Sequence, residues 1–552
     1  MKIKVAIMIG SDSHLGCPVL KLWERKRSSF VVVWSLLFLS LFFSASAAGV
    51  YSHWINKTGG SVQESSVGAA MDTGTNVYVL GRFYDYTNRI GTTTLTNLIA
   101  VSNLFLAKLT ANSVAAPPWT KTAVTEYPIS HVKLVANSAG DCIVAGSFGG
   151  TNLNFGSGTL TNFGTLGDYS EDVFIAKFNT AGTFGWLIQS GGTSNDVFGD
   201  MSVDQALSNP TGFYVTGSFE STNFTAGGTT LTRLSTNGMD CFVAKYNFSG
   251  TLLWIKQAVY AAGTLIANDT SNNCYVAGAT IGPATFDGLS PSNQTTGSFL
   301  AKYDKTPNLV WVRGDVPAGN RLSVDKFQNI YTAGTFSKVI QIGGITLSNN
   351  SPSTIYLAKC DTNGTPLWAL QLPGWGFDGL NGMAIDSVGN CWIAGYFATT
   401  NQTALPANSV AVVACFNSSG DVVAVSPMGG VKASMSSVVG GTGNNYNGNM
   451  FFSGSYTTNF LVSGKYGATN SGLSDVYASV GGVAPQLKLA VNGTNVICSW
   501  PSVNAAFTLQ ALTNLGSSWN TVGFGTSANG QMVVTNSITG NVRFFRLINN
   551  NP

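Results

Sequence analysis

The sequence predicts an all-β protein, a seven-bladed β-propeller followed by a small β-sandwich domain. The first observation is an apolar run that ends in glycine and recurs seven times, 56 to 71 residues apart. The second is that each repeat holds four strand-like segments, which is what one propeller blade requires. The third is the low charged content, 10% of residues. The glycines of the seven runs are Gly81, Gly146, Gly217, Gly278, Gly334, Gly395 and Gly454.

The four segments follow one another in a fixed order. A tryptophan strand comes first, then a short run that ends in Asp or Asn, then the glycine-ended run, and last a run that ends in Ala-Lys. Asp and Asn open turns by hydrogen bonding to nearby backbone, so we expect these aspartates to be structural. The glycine of the third strand predicts a bend or a close backbone approach. The tryptophans of the first strand are Trp54, Trp119, Trp186, Trp254, Trp311 and Trp368.

The position of the first repeat predicts how the ring closes. Trp54 lies just after the N-terminal segment, and VYASV near residue 480 ends the seventh repeat. If the first tryptophan strand completes the last blade, the ring has no exposed edge. Between the third and fourth strands many repeats carry an extra hairpin pattern, such as KVIQIGGITLSN. Because this part varies most, we expect it to supply binding loops.

The net charge of +3 does not describe the main body of the chain. Residues 1–29 carry six basic and two acidic groups, which leaves a net charge of −1 for the rest. A near-neutral body has no basic surface for nucleic acid or anionic membranes, so we expect neither as a partner. We expect the protein to be a monomer.

Residues 1–48 are predicted to be a signal peptide with an N-terminal extension. Basic residues between Lys21 and Arg27 precede the apolar run FVVVWSLLFLSLFF, and the small residues Ala45-Ser46-Ala47 follow it. This order is typical of secretory signals. The alternative is an uncleaved anchor, but a membrane span needs about 20 apolar residues. We therefore expect cleavage near Ala47, a secreted or cell-surface protein, and no membrane span after cleavage.

The cysteines are predicted to serve the core. Cys142, Cys274 and Cys391 share one repeat position, four residues before the glycine, and we expect them to be small buried hydrophobes. Cys391 and Cys415 fall on strands predicted to be neighbours, so one disulfide between them is an alternative. The chain has no CxxC pair, and we predict no metal site.

The repeat pattern resembles the SBBP family of bacterial β-propeller repeats. The stretches DVFIAKFNTAGTFGW and DCFVAKYNFSGTLLW carry the resemblance, together with the GSF and GTF ends of the third strands. It covers residues 50–482, and we place the propeller domain at 49–482. The resemblance implies an architecture shared by secreted or surface-attached proteins, and it implies no reaction.

Residues 485–552 are predicted to form a separate module. Apolar–polar alternation in LKLAV, VICSW, FTLQA and VRFFRL predicts a small sandwich with Trp500 and Trp519 in its core. The pattern SWP…LQ…W…FFRL resembles the short immunoglobulin- or fibronectin-like modules that end many secreted bacterial proteins. A module of this length has marginal independent stability. Packing on the propeller and a role in surface retention are both open.

The sequence offers few catalytic groups, and we predict no catalytic residues. Beyond the signal peptide the histidines are His53 and His131, in different repeats, and no P-loop, HExxH, EF-hand or GxSxG motif is present. The turn at Asp361, Asn363 and Gly364 has some features of a calcium loop. It lacks the downstream Glu, which favours a plain turn. We predict no cofactor.

Three of the repeated stretches also resemble a motif of enzymes that use a quinone cofactor. AKFNTAGTFGW, AKYNFSGTLLW and AKCDTNGTPLW are similar to the tryptophan-docking motif of quinoprotein propellers. In that family the motif packs adjacent blades and is not itself catalytic. The chain has seven repeats instead of eight and no adjacent cysteines. The motif therefore supports the propeller and argues little for the cofactor.

The remaining candidates for binding are aromatic residues among polar turns. Tyr84 and Tyr86 follow the first glycine run, and Trp375 and Phe377 lie in PGWGFDG. Exposed aromatic rings stack on sugars and anchor protein partners. Core packing or a plain turn is the structural alternative for each of them.

The sequence therefore favours a secreted or cell-surface, non-enzymatic binding or scaffold propeller with an extracellular glycan or protein partner. The alternative is an extracellular glycan-active enzyme, a hydrolase or lyase, that draws carboxylates from different blades to the central channel. Asp196 and Asp378 are an example of such a pair. A quinone-cofactor dehydrogenase is the less favoured third hypothesis.

Overall fold

A computed structural model of the chain provides the structure. It describes residues 6–7, 50–58, 64–72, 76–84, 87–90, 93–96, 103–109, 118–164, 170–204, 211–292, 297–350, 353–372, 379–386, 389–397, 410–428, 434–440, 450–456, 460–462, 466–468, 475–483, 488–492, 495–501, 507–512, 520–523, 526–528, 531–537 and 544–549. All regular structure in these ranges is β-strand. The described residues contain no helix that is long and apolar enough to cross a membrane.

The strands are numbered in chain order. The first are β1 (Ala6–Ile7), β2 (Val50–Thr58), β3 (Glu64–Met71), β4 (Val77–Phe83), β5 (Thr87–Ile90), β6 (Thr93–Thr96), β7 (Asn103–Leu109) and β8 (Trp119–Thr125). Next come β9 (Ser130–Ala136), β10 (Cys142–Phe148), β11 (Asn152–Asn154), β12 (Thr159–Thr161), β13 (Asp172–Phe178) and β14 (Phe184–Gly191). These are followed by β15 (Asp196–Val203), β16 (Gly212–Phe219), β17 (Asn223–Ala226), β18 (Thr229–Thr232), β19 (Asp240–Asn247) and β20 (Leu252–Asn268).

The middle of the chain continues with β21 (Cys274–Phe286), β22 (Ser298–Tyr303), β23 (Leu309–Arg313), β24 (Arg321–Val324), β25 (Ile330–Phe336), β26 (Val339–Ile342), β27 (Ile345–Ser348), β28 (Thr354–Cys360) and β29 (Pro366–Gln371). Then come β30 (Gly379–Ile385), β31 (Cys391–Phe397), β32 (Val410–Phe416), β33 (Val422–Met428), β34 (Ser434–Gly440), β35 (Met450–Tyr456), β36 (Phe460–Val462), β37 (Tyr466–Ala468) and β38 (Asp475–Val483). The last are β39 (Lys488–Asn492), β40 (Asn495–Pro501), β41 (Phe507–Leu512), β42 (Asn520–Gly523), β43 (Thr526–Ala528), β44 (Gln531–Ser537) and β45 (Phe544–Asn549).

The chain divides into two compact units, one of Val50–Gly482 and one that combines Met1–Gly49 with Val483–Pro552. The larger unit is an all-β, propeller-like fold in which four-stranded antiparallel meanders recur. From inner to outer strand they are β3-β4-β7-β8, β9-β10-β13-β14, β15-β16-β19-β20, β20-β21-β22-β23, β24-β25-β28-β29, β30-β31-β32-β33 and β34-β35-β38-β2. The smaller unit holds two four-stranded sheets, β1-β45-β41-β42 and β39-β40-β44-β43.

Each sequence repeat begins one strand earlier than the corresponding meander. The tryptophan strand that opens a sequence repeat is the outer strand of the preceding meander, as β8 and β14 illustrate. The same rule places β2, which contains Trp54, beside β38 in one sheet. The predicted pairing of residues near 54 with residues near 480 is therefore confirmed.

The second strand of the second meander, β10, is buried on both faces. On β10, Cys142 and Val144 belong to a cluster with Leu80 of the preceding meander, whereas Ile143 belongs to a cluster with Val215 of the next. Adjacent residues of a strand point to opposite faces. This meander thus packs between two others, which explains why the third segment of its repeat is a continuous apolar run.

The glycine of the second strand faces a bulge in the inner strand. In the third meander Gly217 pairs with Phe198 and Thr216 pairs with Asp200, so Gly199 is an extra residue. A Cβ on Gly217 would overlap the carbonyl oxygen of Val197. The predicted bend and close backbone approach are both confirmed, because the bulge brings a main-chain carbonyl against the glycine.

Three of the extra hairpins pair with the preceding meander, whereas β26–β27 forms a two-stranded sheet of its own. Hairpin β11–β12 extends the sheet of β8, β17–β18 extends the sheet of β14, and β36–β37 extends the sheet of β33. Each covers an outer strand that would otherwise expose unpaired backbone groups. The paired strands complete neighbouring sheets, and the expectation that these hairpins supply binding loops stays a prediction.

Hydrogen bonds from side chains of the tryptophan strands link consecutive meanders. Trp186 on β14 donates its indole N–H to the carbonyl oxygen of Phe248, 3.2 Å away in the β19–β20 turn of the next meander. Lys177 Nζ donates to the same carbonyl oxygen at 3.0 Å. Equivalent indole bonds join Trp119 to Thr180, Trp311 to Thr362 and Trp368 to Ser418. The tryptophan and Ala-Lys segments of the repeat thus form one seam between meanders.

Gly250 in this turn offers a test of the seam. Its φ is +85°, and a Cβ there would lie 3.1 Å from Cδ2 of Trp186. We expect Gly250→Ala to lower the free energy of unfolding by about 2 kcal/mol or more, because a left-handed alanine alone costs about 1–2 kcal/mol. Gly228 has a φ of +83° and no neighbour within 4 Å of a Cβ. Gly228→Ala is therefore the control for the backbone cost.

Urea denaturation followed by tryptophan fluorescence measures both variants. If Gly250→Ala and Gly228→Ala destabilise the protein equally, the contact with Trp186 adds nothing to the seam.

The cysteines of the described core are buried free thiols. Cys142, Cys274 and Cys391 fill the equivalent position in three meanders, as predicted. The alternative of a Cys391–Cys415 disulfide is wrong for this structure. Cys391 pairs with Phe416 and Cys415 pairs with Trp392, so the two side chains leave opposite faces of the sheet.

Candidate functional site

The two ends of the meanders carry different connections. At the turn end, tight turns opened by Asp or Asn join inner to second strands and third to outer strands. At the opposite end, which we call the loop end, connections lead from an outer strand to the next inner strand and from a second strand to its third. Described loop-end residues include 84, 126–129, 149–151, 162–164, 192–195 and 220–222.

The aspartates of the turn end are committed to structure. Asp325 accepts hydrogen bonds from the main-chain N–H of Phe327 at 2.9 Å and of Asn329 at 2.8 Å. Its second oxygen accepts one from the Asn329 amide at 2.8 Å. Asp386 repeats the pattern with Asn390. These contacts confirm the predicted turn role and leave no free carboxylate for chemistry at Asp325.

Exposed aromatic side chains lie at the loop end. Tyr84, one of the predicted binding residues, is 43% exposed. Sequence reasoning missed Tyr127 and Phe163, which are 41% and 50% exposed. The stretches EYP and TNFG, aromatic residues between polar turn formers, were the available signal. Of the other predicted binding residues, Tyr86, Trp375 and Phe377 lie outside the described residues, as does Asp378.

Two buried aspartates hold the hairpin exits of the loop end. Asp172 accepts hydrogen bonds from the Phe163 main-chain N–H and from Gln189 Nε2, both at 2.7 Å. Asp240 has the same partners one repeat later, Leu234 N and Gln257 Nε2, both at 2.7 Å. Burial raises the pKa of Asp172 to about 6. The repeated pattern indicates a structural carboxylate rather than a reacting one.

Asp196 is the most strongly perturbed carboxyl group of the loop end. It is fully buried at the start of β15 and accepts a hydrogen bond from Ser221 Oγ at 2.7 Å. The main-chain N–H groups of Glu220 and Ser221 donate to its other oxygen, both at 3.2 Å. Burial raises the pKa of Asp196 to about 7, and the charge of Asp172 adds to the shift. No solvent reaches this carboxyl group, so it has no open path to a substrate.

A serine joins a histidine to a glutamate beside this group. Ser130 Oγ donates to Glu171 Oε2 at 2.8 Å and lies 2.9 Å from His131 Nδ1. His131 is exposed and has a φ of +48°, which is strained for a residue with a side chain. Serine sits in the middle of this chain of contacts. A nucleophilic triad requires the histidine between the serine and the carboxylate, so the arrangement does not match one.

Charged side chains on the described inner strands are paired with each other or bound to main chain. Asp200 on β15 forms an ion pair with Lys133 Nζ on β9 at 2.9 Å. Its second oxygen accepts the main-chain N–H of Ile266 at 3.2 Å. The guanidinium of Arg321 on β24 is bound to the carbonyl oxygen of Asn381. These charges link inner strands to one another.

The described residues hold no group of three His, Cys, Asp or Glu side chains placed to bind a metal ion. The turn with Asp361 closes through its own backbone, since Asp361 Oδ1 accepts the N–H groups of Asn363 at 2.9 Å and Thr365 at 2.8 Å. This geometry is that of a hydrogen-bonded turn.

No known protein-family profile matches the chain. Among curated proteins it is 24% identical over 426 residues to an uncharacterized WD repeat-containing protein of Acanthamoeba polyphaga mimivirus. The alignment covers 62% of this chain and 30% of the viral protein, so the chain spans less than a third of that relative's length.

Solved propellers are similar at a coarse level. The Dos1 propeller aligns with 78% of this chain and 95% of its own, at a TM-score of 0.35 and 10% identity. A polysaccharide lyase described as an ulvan lyase aligns with 73% of this chain and 93% of its own, at a TM-score of 0.37 and 9% identity. Scores this low carry no argument about activity. The recurring meanders and the repeat-containing relative together support a β-propeller repeat protein.

Proposed function

We propose that this chain is a secreted or cell-surface propeller that binds an extracellular glycan or protein through its loop end, without catalysis and as a monomer. One observation carries the proposal. The loop end presents exposed aromatic rings, whereas its carboxyl groups with raised pKa values, Asp172 and Asp196, are buried and hydrogen bonded to main chain. Exposed aromatic rings are suited to contact a ligand. Buried carboxylates that accept hydrogen bonds from the main chain stabilise the fold.

We further propose that the propeller has seven blades and closes on itself, in the manner of the SBBP repeats. The inner strands β3, β9, β15, β20, β24, β30 and β34 contact one another in sequence, and β34 contacts β3. The pairing of β2 beside β38 supports the same closure. For residues 485–552 we propose an immunoglobulin- or fibronectin-like sandwich, which the two sheets of the smaller unit support.

A binding panel with matched variants tests the proposed function. The purified protein is applied to arrayed glycans, cell-wall polysaccharides and extracellular proteins. For the ligand retained, we expect Tyr84→Ala or Phe163→Ala to weaken binding by about tenfold or more, as truncation of an aromatic anchor does. Phe327, 66% exposed in a tight turn of the turn end, is the control. Equal losses with Phe327→Ala would contradict a loop-end site.

A glycan-active enzyme is the second candidate, and it requires the buried Asp196 to become accessible to a substrate. A carboxyl group with a pKa raised to about 7 has the protonation behaviour of a general acid. If glycans in the panel are cleaved, and Asp196→Asn abolishes cleavage while the variant keeps its fold, the enzyme replaces the binding proposal.

A further inference from the structure

Exposed apolar side chains and one basic residue lie at the loop end where the third meander meets the fourth. Leu234, in the connection that leads into β19, is 63% exposed, and Ile281 on β21 is 44% exposed. Arg233 Nη1 donates to the carbonyl oxygen of Gly238 at 2.8 Å. A Cβ on Gly238 would lie 3.4 Å from Cδ1 of Ile281 and 3.4 Å from Cδ1 of Tyr260. We call these five residues, Arg233, Leu234, Gly238, Tyr260 and Ile281, the Arg233 patch.

The backbone of the Arg233 patch is fixed by buried and neighbouring groups. Asp240, which is fully buried, accepts the main-chain N–H of Leu234 at 2.7 Å and that of Tyr260 at 3.1 Å. The Tyr260 hydroxyl accepts the main-chain N–H of Thr236 at 3.2 Å and lies 2.8 Å from Thr236 Oγ1. Because these bonds already order the loop, a partner that binds here pays little conformational entropy.

Tyr260 is held in a strained conformation. Its φ is +52°, in the left-handed region that aromatic residues rarely adopt. Gly282 lies against the ring, since a Cβ there would be 2.9 Å from Cδ1 of Tyr260. Backbone strain of this kind clusters at functional sites. The strain is independent of the exposed apolar side chains, and both point to the same place on the loop end.

The charge of Arg233 is not neutralised within the described part of the chain. No ion pair among the described side chains includes Arg233, and its hydrogen bond to Gly238 is to a neutral carbonyl group. A guanidinium group has five N–H donors and pairs best with a carboxylate in a bidentate geometry. Arg233 is therefore complementary to an acidic group on a partner.

The apolar members of the patch favour a protein over a glycan. Leu234 and Ile281 are aliphatic and offer no aromatic face on which a sugar ring stacks. Aliphatic side chains instead gain free energy when they are buried against other apolar side chains. A polypeptide that carries both an apolar side chain and a carboxylate matches the two kinds of group in the patch.

We propose that the Arg233 patch binds a segment of an extracellular protein in which an acidic side chain lies beside an apolar one. The carboxylate accepts hydrogen bonds from Arg233, and the apolar side chain packs on the aliphatic side chains of the patch. The inference rests on the proposed loop-end binding function. It adds the class of partner and the residues that the partner contacts.

A displayed library of random peptides, panned on the purified full chain, provides the probe. We expect the selected peptides to share an acidic residue beside a large apolar one. In a selected peptide, replacement of the acidic residue by the matching amide is expected to weaken binding about tenfold or more, the scale of one charge-assisted hydrogen bond. Fluorescence polarisation of the labelled peptide measures the affinity. Added salt weakens the binding because it screens the charges.

Variants of the chain locate the peptide site. Arg233→Gln removes the charge, and we expect roughly tenfold weaker binding of the selected peptide. Leu234→Ser removes apolar surface and is expected to weaken binding as well. Leu367→Ser is the matched control, because Leu367 on β29 is 53% exposed in another meander, and Lys305→Gln controls for the loss of one exposed positive charge. Both controls are expected to leave binding unchanged, and circular dichroism and thermal unfolding check that every variant is folded.

The outcomes separate this inference from the proposed function. A library that yields no peptide, or peptides without a shared acidic residue, overturns the inference and leaves loop-end binding standing. Equal losses with Leu234→Ser and Leu367→Ser also overturn it. If a glycan binds the chain and Leu234→Ser weakens that binding, the choice of a protein partner is wrong. The proposed function is tested through Tyr84 and Phe163, which lie outside the Arg233 patch, so its failure is recognised separately.

Discussion

We expect Gly278→Ala to lower the free energy of unfolding by about 3 kcal/mol or more, the upper part of the range for overpacked cores. Gly278 on β21 faces the bulge at Thr264 of β20. An added Cβ would overlap the carbonyl oxygen of Ala262 and lie 3.0 Å from Cε1 of Phe299. The main chain cannot rotate away as a side chain does, so the inner strand itself must shift.

Gly344→Ala is the control for this substitution. Gly344 lies in the β26–β27 turn, where an added Cβ meets nothing within 4 Å. Urea unfolding curves of both variants, followed by tryptophan fluorescence, give the comparison. If Gly278→Ala is no more destabilising than Gly344→Ala, the close approach between strand and bulge does not constrain the fold.

The second large effect concerns pH. Burial raises the pKa of Asp196 to about 7 and that of Asp172 to about 6, both above the ordinary carboxyl value. The folded state therefore binds these protons more tightly than the unfolded state. We expect stability to be highest below about pH 4 for these groups, and to fall as the pH rises through about 7. The loss from Asp196 amounts to about 4 kcal/mol at most, at about 1.4 kcal/mol per pKa unit.

Two variants test the assignment of this pH dependence. Asp196→Asn keeps the shape and cannot ionise, so its stability is expected to lose most of the fall between about pH 4 and about 7. Ser221→Ala removes a hydrogen bond that lowers the pKa of Asp196, so the fall is expected to move to higher pH. Urea midpoints across this pH range are the measurement. An unchanged slope in Asp196→Asn would assign the dependence to other groups.

The repeated strands and turns could be predicted from the sequence, because each depends on residues that are close together in the chain. A glycine in the third strand of the repeat predicts a close backbone approach, and Gly217 makes one. An Asp or Asn after the second strand predicts a hydrogen-bonded turn, and Asp325 forms one. The first tryptophan strand was also placed correctly, since a closed array needs a partner for its free edge. The order of the strands could be predicted from the period of the sequence, because the repeats form meanders of the same kind.

The candidate site followed less well from the sequence. Tyr84 was predicted as a binding residue and is exposed, whereas Tyr127 was not predicted, since its position depends on the contact with Gly150, a residue 23 positions later. The Cys391–Cys415 alternative failed for a related reason, because a register shift of one residue turns a side chain to the other face.

The one-strand offset between sequence repeat and meander has a consequence for inheritance. Each seam joins a tryptophan in one repeat to the turn of the following repeat, about one period away, as from Trp186 to Phe248. A tandem duplication of one full period therefore copies both halves of a seam, wherever in the period it begins. Whole repeats can therefore be gained or lost during evolution without the need for new contacts between meanders. The number of repeats can then differ between related proteins.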